Sequence, residues 1–467
     1  MKISRMKLNI HNFRNFDNQE LKFSRVNILI GENSGGKSSL LKFLLSLKQT
    51  IDSPLESNLK LRGDYTDLGN YQEVIKDKVK SRKLNFSFSD SHRYLEFFLK
   101  FVNKFEKDDD SLENKIIINL LNEISKLNIE TSIKFTLGSN LNNHKNITTI
   151  IGNDSFGKIE IQSKKIDLYE SQRELSSTIV GNFKDVQFEL DDCPAQKEGF
   201  FTLFEGDIRK KILSLDIENP LDIYYRVIFL LIFQNYCIEY IDGFRFVNPI
   251  GNSPKRLYFQ EDKKSNYKLI DIEKFINILG DPSLTEKEFN NKIDLLNSVI
   301  NKSGIAEQVE IIKNKDLPVL ALNVKTKGFW SNITDVGYGV SLQLPILFQA
   351  ILSEKFTHKK ETLLIEQPEV HLHPSLQAKF IDTLLSIGNK NQYFIETHSE
   401  HIIRKLQVLI KNKEYNLKPE DITIHYFKRS EKKFEVTSHF IDSKGKLSPS
   451  FPSGFYDNTY NLVKELL

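Results

Sequence analysis

Eight residues, Gly31-Glu-Asn-Ser-Gly-Gly-Lys-Ser38, constrain this chain more than any other feature in it. They match G-x-x-x-x-G-K-[ST] at every fixed position. The flanks are those the pattern requires. Val26-Asn-Ile-Leu-Ile30 is an apolar run that stops at Gly31 and has the character of a buried strand. Leu40, Leu41, Leu44, Leu45 and Leu47 then follow at helical spacing. Strand, glycine loop and helix in that order turn backbone N–H groups toward a phosphate at a helix N-terminus. A chance match in a Gly/Ser loop is the alternative, and the flanking strand and helix argue against it. The candidate nucleotide-binding residues of the loop are Asn33, Gly35, Gly36, Lys37, Ser38 and Ser39. Lys37 would reach the β- and γ-phosphates, and Ser38 would ligate magnesium.

The rest of the chain sets bounds. Its 467 residues leave room for roughly three folding units at ~150 residues each. Lys and Arg number 65 against 62 Asp and Glu, a net charge of +3, which is not the footprint of a protein that coats DNA. Cys193 and Cys237 are the only cysteines, so a disulfide framework and a cysteine-rich zinc site are both excluded. The N-terminal MKISRMKLNIHNFRNF lacks the apolar stretch of a signal peptide. The longest apolar run, Val227 to Phe233, is far short of the ~20 residues of a membrane span. The expectation is a cytoplasmic protein with no membrane partner.

Along the chain, strands are expected over Ile3–Ile10, Asn85–Ser89 and Ser132–Leu137, and again at Val319–Val324, Thr362–Ile365 and Gln392–Glu396. Leu221–Tyr240 and Ile270–Ile311 have helical spacing, and Leu168–Lys210 has no clear period. Lys107-Asp-Asp-Asp-Ser is a solvated loop, Ile422–Phe427 a strand, and Tyr460–Leu467 a closing helix. Buried strands at both ends with a different texture between them predict an α/β nucleotide-binding domain split by an insertion. Its parts would be residues 1–83, an α+β insertion over 84–314, and 315–467.

The strand Thr362-Leu-Leu-Ile ends in Glu366-Gln367-Pro-Glu369. An acid there is where a nucleoside-triphosphatase with such a loop holds magnesium, so Glu366 is the second metal candidate beside Ser38. Gln367 stands where a glutamate would commonly position the attacking water. An amide orients water but accepts a proton poorly, which predicts slow hydrolysis. Glu369 is a weaker substitute for that role.

Taken together, IEQPEVHLHPSLQAKF resembles the Walker B and D-loop region of ABC-type ATPases of the OLD and RecF-like group, relatives of the SMC-type DNA-repair ATPases. Five further segments agree. Asn12-Phe-Arg14-Asn-Phe resembles an N-terminal element whose arginine approaches the nucleotide. Asp335-Val-Gly-Tyr-Gly-Val-Ser341-Leu-Gln-Leu-Pro345 resembles the signature motif, and Phe394-Ile-Glu-Thr-His398-Ser resembles the His-switch. Tyr65-Thr-Asp-Leu-Gly-Asn70 and the tail from Phe451 resemble a stand-alone bacterial subset. The likeness covers about 1–83 and 315–467 well and the middle poorly.

This resemblance implies an α/β fold, a P-loop NTPase of ABC-ATPase type. It implies ATP and Mg2+ as ligands, and a homodimer or higher homo-oligomer joined head-to-tail across two ATP molecules. Arg14 would contact ATP, Ser341 would clamp it in trans, and Glu366, Gln367 and His398 would carry the chemistry. His373 falls where the D-loop usually has an aspartate. Relatives of this kind often serve in phage defence beside a nuclease. About seventy residues follow His398, too few for a Toprim nuclease, so an effector nuclease is expected in trans. The alternatives are an ATPase acting directly on DNA and a nucleotide-bound scaffold.

Other features have plainer readings. His371, His373, His398 and His401 invite a zinc site, but no HExxH occurs and the switch role accounts for His398. The basic run Lys76–Lys83 is either a solvated face or a DNA contact. Arg245 and Arg256 could line the nucleotide or a partner surface, or pair with nearby acids. Cys193, Cys237 and Trp330 are packing residues by default.

Overall fold

The computed structural model describes residues 6–53, 59–90, 112–127, 131–137, 147–151, 156–165, 175–183, 186–198, 201–204, 208–247, 253–260, 269–314, 316–429, 434–451 and 465. The Lys107–Ser111 loop, most of the tail after Phe451 and the closing helix lie outside these residues. The chain divides into two compact units, one of residues 1–23 and 42–242, the other of 24–41 and 243–467. These borders differ from the expected 84 and 314. Residues 84–242 join the N-terminal strands in one unit, and 243–314 join the nucleotide-binding strands in the other.

The first unit is built on one antiparallel sheet. A hairpin of β1 (Lys7–Phe13) and β2 (Phe16–Lys22) starts the chain. β3 (Val26–Gly31) belongs to the second unit. Next come β4 (Leu84–Asp90), β5 (Thr131–Leu137), β6 (Ile147–Ile151), β7 (Lys158–Lys165), β8 (Leu175–Phe183), β9 (Val186–Glu198) and β10 (Phe201–Phe204). The order is β10-β9-β8-β7-β6-β5-β4-β1-β2. Alternation gives each strand an inner face: in β4, Leu84, Phe86 and Phe88 are buried while Asn85, Ser87 and Ser89 are half-buried. Within the stretch without clear period, 168–210, the described residues 175–183, 186–198 and 201–204 are strand. Its register shift between Ser177 and Ile179 is what breaks the period.

Four helices are assigned here along the chain to residue 242: α1 (Lys37–Ile51), α2 (Leu112–Leu127), α3 (Ile208–Leu213) and α4 (Pro220–Asp242). Phe43 of α1 meets Phe13 and Phe86 edge-on or tilted, at 5.0 and 5.4 Å. α4 corrects the expectation drawn from the short apolar run. At 23 residues it is long and apolar enough to cross a membrane by length and composition alone. Its packing identifies it as a core helix. Arg226 is paired with Asp222 at 2.8 Å and with Glu123, and Phe229 packs on Phe156 at 5.1 Å.

Around the C-terminal end of α1, Gln49 takes the Thr66 amide and Tyr65 donates to Asp52 at 2.8 Å. This fixes the Tyr65–Asn70 element, and Asn70 then caps the one-turn helix Tyr71–Val74.

In the second unit, β11 (Phe244–Val247), β12 (Tyr258–Phe259), β13 (Leu269–Ile270), α5 (Ile272–Gly280) and α6 (Glu286–Ser303) precede β14 (Gln308–Lys313). The expected helix to Ile311 therefore ends early. Gly304 closes α6 at φ +72°, and Val309 is then free to pair with Val324. β15 (Val319–Thr326) and β16 (Phe329–Asn332) complete a small sheet with β12 and β14. α7 (Tyr338–Ile351), β17 (Thr362–Glu366), α8 (Pro374–Ser386), β18 (Gln392–Glu396), α9 (Glu400–Lys411), β19 (Ile422–Arg429), β20 (Phe434–Ile441) and β21 (Leu447–Ser448) follow.

The main sheet runs β13-β11-β17-β18-β3-β19-β20-β21. It is parallel from β13 through β19. All six residues of β3 and all five of β18 are buried, as strands covered on both faces must be. Ile28, Ile30, Ile365, Ile395 and Ile424 share one core with Leu347 of α7, Leu384 of α8 and Leu406 of α9.

Candidate nucleotide site

In an open parallel sheet, ligands lie beyond the carboxyl ends of the strands. Three neighbouring strands of the second unit deliver the predicted residues there. β3 leads into the glycine loop, β17 ends at Glu366, and β18 ends at Glu396, two residues before His398.

The glycine loop is shaped by close approach to β19. Gly31 has φ +141°, and a Cβ on it would lie 2.1 Å from the Phe427 carbonyl oxygen. Gly36 has φ +91°, and Ser34 also takes a positive φ of 58°. Asn33 is exposed, Gly35 and Gly36 are buried, and Ser39 sits half-buried in the first turn of α1. Lys37 folds back over the loop, donating to the carbonyls of Gly31 at 3.0 Å and Glu32 at 2.8 Å. Burial lowers its pKa, and the Glu396 and Glu32 carboxylates partly oppose that.

Ser38 Oγ donates to Glu396 Oε1 at 2.7 Å. Glu366 and Glu396 are register partners on adjacent parallel strands. A hydroxyl and two carboxylates are hard oxygen donors, which fit Mg2+ as it binds beside phosphates. Glu396 was not singled out from the sequence. Its signal was an acid at the last position of an otherwise apolar strand, in register with Glu366.

Gln367 follows Glu366 at φ +43°, and its N–H continues the ladder onto the Glu396 carbonyl at 2.7 Å. Glu369 follows two residues further on. It is buried, and its Oε1 accepts the backbone N–H of His398 at 2.6 Å. Burial raises the Glu369 pKa. His398 itself is exposed, and its pKa is lowered by partial burial first and by the Lys37 charge second. It is therefore a neutral imidazole at neutral pH.

The signature segment is joined to the same loops. Gln343 of α7 donates to the Pro368 carbonyl. A Cβ on Gly339 would stand 2.8 Å from the His371 carbonyl oxygen. Gly337 is the exposed N-cap of α7, as the glycine-flanked start predicted. Ser341, however, is buried and donates to its own turn, Tyr338 O, at 2.7 Å. On the other side Ser399 donates to Gln377 of α8 at 2.6 Å, and His373 caps α8 through Ser375.

Arg14 belongs to the first unit, where φ +45° aims its N–H at Val74 O, 2.6 Å away. In the basic run, Lys76 pairs with Asp17 and Arg82 with Asp77. Arg256 grips Asp335 with two bonds of 2.7 and 3.0 Å, and Arg245 pairs with Glu361 at 2.5 Å. Among the described residues, no group of three or more His, Cys, Asp or Glu is placed to hold a metal.

The parallel sheet, its glycine loop and the acid-ended neighbouring strands define a P-loop ATPase. The chain belongs to the AAA ATPase domain family, whose model matches residues 1–403. Residues 417–466 match a second family, described as a protein of unknown function, DUF3696. Over 329 residues the chain is 21% identical to Endonuclease GajA of Bacillus cereus (strain VD045), covering 66% of this chain and 56% of that protein. The chain thus spans about half the length of this curated relative. Solved structures that align include an SMC head bound to the C-winged helix domain of ScpA, at 11% identity and TM-score 0.45, covering 94% of this chain and 97% of that one. Another is the SMC head domain of Thermotoga maritima, at 10% identity and TM-score 0.39, covering 94% and 98%.

Proposed function

We propose that this chain is an ATP-operated switch whose heads pair head-to-tail on two nucleotides and thereby control an effector. One observation carries the proposal. The segment after Glu366 is bonded on one side to the switch loop, through Glu369 and the His398 amide, and on the other to the signature helix, through Pro368 and Gln343. A change at the γ-phosphate is then felt at the surface that would meet a second head.

In this proposal Lys37, with the loop amides around Asn33, Gly35, Gly36 and Ser39, holds the phosphates. Ser38 and Glu366 hold Mg2+, which when bound neutralises charge on the β- and γ-phosphates. Gln367 orients the attacking water without taking its proton readily, so turnover is slow. His398 contacts the γ-phosphate, and Arg14 approaches the nucleotide. The exposed start of α7 receives the partner's nucleotide, with Ser341 turning from Tyr338 to join it. The effector is a nuclease acting in trans, in prokaryotic defence against phage. Likeness over part of its length to a protein named as an endonuclease accords with a nuclease as the effector.

Light scattering with and without Mg2+-ATP tests the proposal, with Lys37→Ala as the variant that cannot hold the nucleotide. A shift from one head to two that needs both Lys37 and ATP is expected. A mass indifferent to ATP overturns the switch. Turnover that rises with DNA and falls steeply with salt points instead to an ATPase acting directly on DNA.

A further inference from the structure

We infer that the magnesium site of this chain rests on two carboxylates, with Glu396 as the one that directs the Ser38 hydroxyl; this depends on the ATPase assignment above. Strand order makes the case. β18 lies between β3 and β17, so Glu396 ends the strand next to the glycine loop while Glu366 ends the one beyond it. At roughly 4.8 Å between neighbouring strands, Glu366 starts about twice as far from β3 as Glu396 does.

The hydroxyl geometry agrees. A serine that ligates a cation must point its proton away from it. Ser38 does so by donating to Glu396 Oε1 at 2.7 Å, which leaves its lone pairs for the metal. Sequence cost agrees as well. Glu396 is 3% exposed in a strand whose other four residues are also buried. Glutamate is almost never placed there without an electrostatic reason. The fold itself asks only for an apolar residue at this position. Lys37, 3% exposed, feels the Glu396 charge, so the phosphate-binding cation and this carboxylate share one site. Mg2+ is commonly held by one or two carboxylates together with phosphate oxygens and waters, so Ser38, Glu366 and Glu396 suffice.

The test is Mn2+ binding, followed by electron paramagnetic resonance in the presence of ATP, for wild type, Glu396→Gln and Glu396→Asp. Binding of a fluorescent ATP analogue in EDTA is measured alongside. Glu396→Gln should weaken Mn2+ about tenfold or more. Glu396→Asp should fall between it and wild type, and metal-free nucleotide binding should stay near wild type. Wild-type Mn2+ affinity in Glu396→Gln, with nucleotide bound, overturns the inference and leaves the ATPase assignment standing. A wild-type chain that binds neither nucleotide nor Mn2+ overturns both. Should Glu396→Gln fail to fold, Fe2+-directed backbone cleavage of the wild-type chain decides. Cuts at both the Glu366 and Glu396 segments support the two-carboxylate site, and cuts at Glu366 without Glu396 overturn it.

Discussion

Glu369 Oε1 accepts the backbone N–H of His398 at 2.6 Å, joining the loop after β17 to the loop after β18. The carboxylate is 8% exposed, so it is not a solvated side chain that happens to be near. It holds the loop after β18 in place. Glu369→Ala should free that amide and blur the position of His398. ATP hydrolysis is expected to fall about tenfold or more while ATP affinity changes little, because a displaced contact costs more in the transition state than in binding. Glu369→Gln retains an acceptor oxygen and should retain most activity. Equal losses in the two variants, measured by steady-state turnover and equilibrium binding, would show that the charge and not the hydrogen bond matters.

Gln367 offers a direct gain-of-function test. Its backbone sits at φ +43°, a left-handed conformation that glutamate tolerates about as well as glutamine. Gln367→Glu should therefore fold normally and supply a proton acceptor where the amide has none. Single-turnover hydrolysis is expected to speed up by about tenfold or more, within the range that general bases contribute. An unchanged rate would mean that another carboxylate already serves as base.

Gly339 tests the link from signature helix to D-loop. A Cβ there would stand 2.8 Å from the His371 carbonyl oxygen, closer than real contacts allow, and 3.0 Å from Leu372, a tight contact. Gly339→Ala should push α7 off that loop at a cost of about 1–3 kcal/mol. ATP binding by a single head should survive, since Lys37 and Ser38 are untouched. ATP-dependent pairing, read by light scattering, should be lost. Pairing at wild-type ATP concentrations in a folded variant would remove the D-loop from the switch.

Much of this site was legible because short motifs fix their own surroundings. Gly31 to Ser38 names a strand, a turn and a helix together, and β3 and α1 are where it demands them. The strand-end positions of Glu366 and of the His398 loop were legible for the same reason: an apolar run precedes each. What could not be read depends on pairing between distant segments. Glu396 gains its importance from lying beside Glu366 and against Ser38, 358 positions away in sequence from the latter. Ser341 was placed correctly on its helix, but local sequence does not say that its hydroxyl folds back onto Tyr338. The borders of the two compact units could not be read from the sequence because β11 carries only Phe244–Val247, too short a run to announce that it pairs with β17. β14 was missed because Val309 and Ile311 continue the apolar spacing of α6 past the Gly304 that ends it.

His425 predicts how stability responds to acid. It lies on β19 with no exposure, and Ser438 Oγ is 3.3 Å from its Nδ1. Burial first, and the neighbouring His439 second, bring its pKa down to about 4. In the unfolded chain the same group titrates near 6.5. Above that value His425 is neutral in both states, and its contribution is intact. As pH falls from about 6.5 toward 4, the unfolded chain takes a proton that the folded chain refuses. Stability is then lost progressively, by on the order of 3 kcal/mol once pH has passed the folded value. Urea unfolding at pH 7.5 and 4.5 should show this loss in wild type. His425→Gln has no proton to take and should lose less between the same two pH values, whatever its absolute stability. Equal losses in both proteins would assign the acid sensitivity to other groups.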